Sequence, residues 1–173
     1  MIQRRQVLVA SVAAALVSGL QTANAQSGKP VKIVVPFAAG GVQDILARSL
    51  SVELGQALGQ TVIVENKAGA GGTIGTAAVA RGDADGTNMV MAAASHNIVA
   101  TLYNKLSYDP QKDFAPLAHI GTASYVLMIH PDVPAKNAAE FIRYAKANPG
   151  KLNYATAGIG SATHLSMAYF NSM

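Results

Sequence analysis

The chain contains no cysteine and no tryptophan. Disulfide staples, thiolate nucleophiles and cysteine-ligated metals are therefore excluded, and stability has to come from a packed core. Charge is sparse: only 13% of the 173 residues are charged, while 50% are apolar, enough core for one domain or one and a part. Nor is there a strong excess of either sign. The formal net charge is +4, and without Arg4 and Arg5 it falls to 11 basic against 9 acidic residues. That balance is too weak and too scattered for a nucleic-acid partner. It is mildly compatible with anionic ligands.

Long apolar runs are missing everywhere except at the start. Arg4 and Arg5 precede a run from Val7 to Leu20 that only Ser11, Ser18 and Gly19 interrupt, and Ala23-Asn24-Ala25 follows. This is the order of a secretory signal peptide, so residues 1–25 are expected to be removed before Gln26. A membrane span needs roughly 20 apolar residues, more than this run offers. The Arg4-Arg5 pair leaves the twin-arginine route open beside the general secretory one. The mature product is expected to be exported and soluble.

The mature chain alternates strand and helix signals. Val31-Lys32-Ile33-Val34-Val35, closed by Pro36, reads as a buried strand. Leu46, Leu50, Leu54 and Leu58 mark an amphipathic helix that Gly59 ends. Thr61-Val62-Ile63-Val64 is the next strand, residues 73–81 a small-residue helix, and Met89-Val90-Met91-Ala92 a third strand. The order predicts right-handed crossovers and a parallel sheet. A second section follows Asp109-Pro110, with strands predicted over residues 117–120, 125–129 and 153–157. Asn137 and Glu140 form a capping box for a helix ending at Asn148-Pro149-Gly150, and a last helix begins near Ser161. That helix reaches Met173 without an exit signal, so the chain is expected to be the N-terminal portion of a longer fold.

Three glycine loops join a strand to a helix: residues 37–41, 69–72 and 158–161. A helix start offers unpaired N–H groups and a positive dipole end, and glycine lets a ligand approach them, so each loop is a candidate anion trap. The alternative is that each is an ordinary tight turn. Dinucleotide fingerprints fail, because Ile74 and Thr163 stand where the last glycine belongs, and there is no P-loop. No G-x-S-x-G elbow surrounds Ser161, so no nucleophilic hydrolase is indicated. His96, His119, His130 and His164 are too dispersed for a local metal motif. His119 and His130 read as structural or surface residues, whereas His96 and His164 lie beside candidate loops. Asp44, in a first helical turn, reads as a partner of the helix dipole.

Lys32 to Gly41 with Asp44 and Ala47-Arg48, then Val64-Glu65-Asn66-Lys67 and Gly69-Ala70-Gly71-Gly72, resemble the tripartite tricarboxylate transporter receptor family, the Bug receptors. The likeness continues through Tyr108-Asp109-Pro110, Lys112 to Pro116, Pro149 to Tyr154, and Ala157-Gly158 to Leu165. Ala68 departs from a usual proline, and Thr87-Asn88 from a usual tyrosine-threonine pair. The resemblance implies an α/β, two-lobed periplasmic-binding-protein-like fold of type II, with parallel-rich sheets flanked by helices. It implies a first lobe over residues 26–122 and the beginning of a second over 123–173. It also implies a periplasmic receptor that hands a small carboxylate to the membrane permease subunits of a tripartite transporter, monomeric when complete. No cofactor, metal or catalytic residue is implied. The carboxylate is expected at Phe37, Ala38, Ala39, Gly40 and Gly41, and at Ala157, Gly158, Gly160, Ser161, Thr163 and His164. Alternative readings are a ligand-sensing partner of a periplasmic signalling protein and a periplasmic enzyme acting on a small organic acid.

Overall fold

A computed structural model describes residues 28–173; the leader read over residues 1–25 lies outside them. A parallel three-stranded sheet in the order β2-β1-β3 forms its centre. The strands are β1 (Val31–Val35), β2 (Val62–Asn66) and β3 (Asn88–Val90). Val31 lies opposite Val62, and Ile33 is flanked by Val64 and Met89. The Met91 N–H donates to the Val34 carbonyl at 2.9 Å, so β-type pairing runs one residue beyond β3.

The helices follow from this order. α1 (Val42–Leu58) joins β1 to β2 and packs on both, while α2 (Thr73–Ala80) joins β2 to β3 and packs on β1 and β3. Right-handed crossovers in the order 2-1-3 put the two helices on opposite faces of the sheet, which suits a central strand apolar on both sides. Ile33 and Val35 join Ala47 and Met91 in the buried core, with Leu54 and Val64 against them. Val34 is buried as well; it projects from the opposite face of the strand.

The buried stripe of α1 differs from the leucine series. Asp44 and Ala47 are its buried residues, while Leu46 and Leu58 are exposed. Fourfold spacing drifts by about 40° per step around a helix of 3.6 residues per turn, so four leucines cannot share one narrow contact. On α2, small residues are a packing requirement. A Cβ on Gly75 would stand 2.7 Å from the Lys67 carbonyl oxygen and 2.9 Å from the Pro36 Cα.

Helix α3 (Ser95–Leu102) follows β3 without a capping signal of its own in the sequence. Its single turn of contact, Ser95 and Val99, is too short to give a period. Helix α4 (Ala138–Ala147) begins as the sequence indicates. The Glu140 N–H donates to the Asn137 side chain at 3.0 Å, and the Glu140 carboxylate accepts from the Lys136 N–H at 2.7 Å. Helix α5 (Ala162–Ser172) is capped by Ser161.

The strands predicted over residues 117–120, 125–129 and 153–157 are absent from the described chain. Their side chains are largely open to solvent, Leu117 by 84% and Met128 by 85%. Aromatic and β-branched runs favour strands only where a neighbouring strand meets their N–H and C=O groups, and no described segment does so here.

Candidate functional site

The first loop leaves β1 at Val35 and enters α1 through Gly41, an extended N-cap with no side-chain cap. Its shape is held from below. The Gly40 N–H donates to Asp44 Oδ2 at 2.8 Å. Asn66 Nδ2 donates to Asp44 Oδ1 at 2.9 Å and to the Phe37 carbonyl at 3.3 Å. Arg48 pairs with the Asp44 carboxylate at 3.0 Å and donates to Asn66 Oδ1 at 2.9 Å. The Arg48 guanidinium, then the Gly40 amide and Asn66, hold the Asp44 carboxyl down at about 2. Asp44 thus serves the loop as a structural anion, in keeping with its place in the first turn. Gly40 has its amide committed to Asp44, so among the expected residues it contributes shape rather than a donor. Ala38 and Ala39 are exposed, and their amides take no part in the bonds of this network.

The second loop joins the other two. A Cβ on Gly72 would lie 3.4 Å from Phe37 Cζ and 3.5 Å from Pro36 Cβ, so this residue backs the first loop. A Cβ on Gly71 would lie 2.5 Å from the Ile159 carbonyl oxygen and 3.1 Å from the Gly160 carbonyl carbon. On its other side the third loop meets Tyr103, whose hydroxyl donates to the Ile159 carbonyl at 3.3 Å. Gly71 holds φ at +65°, and only glycine combines that conformation with so close a backbone approach. The three glycine loops therefore form one cluster. Gly71 and Gly72 were candidates only as a separate loop; their part in joining the other two is a long-range contact that spacing does not encode.

The third loop is built from hydroxyls. Ser161 is 3% exposed, and its Oγ accepts from the His164 N–H at 3.2 Å. Thr163 Oγ1 accepts from the Ala157 N–H at 3.1 Å. The two hydroxyls lie 3.0 Å apart. Two hydroxyl protons share that single contact, so it uses one of them and leaves the other free. The Gly158 N–H is taken by Thr156 Oγ1 at 3.3 Å. His164 stands in the first turn of α5 with a buried Nδ1 that has no protein partner.

Behind the second loop lies a feature the sequence reading missed, the junction of β3 and α3. Pro36, Gly71, Gly72, Ser95, His96 and Tyr108 line a small cavity there. The usable signal was Ala92-Ala93-Ala94-Ser95, small residues after a strand that lead into a serine. His119 and His130 are exposed, away from these contacts.

A loop cluster outside the carboxyl ends of parallel strands is where open α/β sheets hold their ligands. The periplasmic binding protein BugD superposes with a TM-score of 0.72 at 38% identity, covering 85% of this chain and 49% of its own. MatC from Rhodopseudomonas palustris, solved with bound malate, gives 0.76 at 34% identity, covering 85% of this chain and 50% of its own. A UPF0065 protein of Bordetella pertussis is 36% identical over 165 residues, 95% of this chain and 51% of that protein. The tripartite tricarboxylate transporter family receptor profile matches residues 46–173. The chain belongs to that family. It spans about half the length of the relatives it matches.

Proposed function

We propose that the chain carries the ligand-gripping loops of a periplasmic receptor for a small carboxylate, which it passes to the permease subunits of a tripartite transporter. The observation that carries this reading is the convergence of the three glycine loops. A carboxylate beside them would meet backbone amides of the first loop, the amides at the start of α5 and one outward hydroxyl proton. The relatives are binding proteins, and one was solved with malate. Binding without turnover is the matching expectation here. Residues 26–122 would belong to the first lobe and 123–173 to the second, with the ligand held between residues 37–41 and 157–164. Export through the leader over residues 1–25 completes the reading.

A melting-temperature panel of malate and related dicarboxylates tests it. A ligand at a hundred times its Kd adds about 2.7 kcal/mol of stability, well within detection. An upward shift with dicarboxylates, and none with a neutral diol of the same length, is expected. Equal response to both would overturn carboxylate recognition.

A further inference from the structure

We infer that the cavity beneath the second glycine loop is a built site for one buried water, held by Tyr108, His96 and Ser95. Its volume is about 10 Å³, room for the centre of roughly one water. Its walls are polar where it matters. Tyr108 is only 7% exposed, and neither its hydroxyl nor Nδ1 of His96 makes a hydrogen bond of proper geometry to the protein. The buried Thr76 hydroxyl lines the same cavity and bears on the phenol, but its own proton goes to the Gly72 carbonyl at 2.8 Å. His96 Nε2 lies 2.9 Å from the Pro110 carbonyl oxygen, which can only accept, so in the neutral ring the proton sits on Nε2. Nδ1 is then a bare acceptor in need of a donor. Tyr108 does not supply it, since its hydroxyl and Nδ1 make no hydrogen bond to each other. Burial pushes the Tyr108 phenol up from its ordinary value, so the group keeps its proton. A water donating to His96 Nδ1 and accepting from the phenol satisfies both atoms. The buried Ser95 side chain supplies a third partner from the start of α3.

Such a water ties three elements together. Ser95 and His96 belong to α3, Tyr108 to the following segment, and Gly71 and Gly72 to the loop that joins the other glycine loops. Phe114 packs edge-on against both rings and so fixes the two side chains that would hold the water. The water is a structural fixture under the cluster, distinct from any ligand above it.

The test combines water-selective NMR on the mature chain with the melting temperature of Tyr108→Phe. The expected result is a cross-peak from a long-lived water to the amides of Gly71 or Gly72, together with a Tyr108→Phe melt several degrees below wild type. A dry cavity gives the reverse. Wild type then shows no such cross-peak, and Tyr108→Phe melts at or above the wild-type temperature because an orphaned hydroxyl has been removed. Should Tyr108→Phe fail to fold, the wild-type cross-peak alone decides.

Discussion

The Asp44 carboxylate joins the first loop to α1 and β2, and its charge is what those contacts recognise. Arg48, Gly40 and Asn66 hold its pKa at about 2 against an ordinary 3.8. A depressed carboxyl contributes stability above its unfolded pKa and loses it as the pH falls through the folded one. Wild type and Asp44→Asn should therefore differ in melting temperature at pH 7, and the gap should close between pH 4 and pH 2. A gap that persists in strong acid would show that the charge is irrelevant. The hydroxyl pair of the third loop makes a second prediction at this scale. If the proposed carboxylate sits here, Ser161 and Thr163 have one free proton between them to offer it. By calorimetry with malate, one of Ser161→Ala and Thr163→Ala should lose roughly 1.5–3 kcal/mol of binding, and the double variant no more. Losses that add would contradict the shared proton. Independently of binding, Ser161→Ala removes the cap of α5 and should cost about 1 kcal/mol of stability in urea.

Elements differ in how far the sequence reveals them. Strands β1 to β3 and helices α1, α2 and α4 were legible from β-branched runs, caps and glycine stops, although the leucine series of α1 is not the stripe it buries. The Asn137–Glu140 box and the Gly59 stop are local devices, and both stand where they were read. Helix α3 was hidden because it starts without a capping signal: its N-cap is Ala94, within an alanine run, and no side chain caps it. The runs over residues 117–120, 125–129 and 153–157 have strand composition without strand pairing, and pairing is not a local property. The site was legible in part for the same reason. Its glycine loops could be seen one by one, but Gly71 against Ile159 and Gly72 against Phe37 are contacts between distant segments. The close seat of α2 yields a prediction of its own. Gly75→Val forces a side chain against the Lys67 carbonyl and Pro36 and should destabilise by about 1–3 kcal/mol, measured by urea unfolding. A neutral result would mean that α2 can move away from β1 freely.

The whole molecule has a packed sheet and glycine-loop cluster beside a segment that packs little. Leu117, Val126 and Met128 are exposed, and exposed apolar side chains of this kind favour association. Val126→Lys with Met128→Glu should lower dye binding and concentration-dependent self-association without moving the melting temperature; a drop in stability would mean that these side chains are packed in solution. The cluster brings three separate turns together, and the proposed carboxylate site depends on that convergence. The direct measurement is an amide-resolved NMR titration of the mature chain with malate. Saturable shifts are expected at Ala38, Ala39, Gly71, Gly72, Gly160, Ala162 and Thr163 together, with one Kd for all of them. Shifts confined to a single loop, or centred on residues outside the cluster, would contradict a carboxylate site built from the three loops.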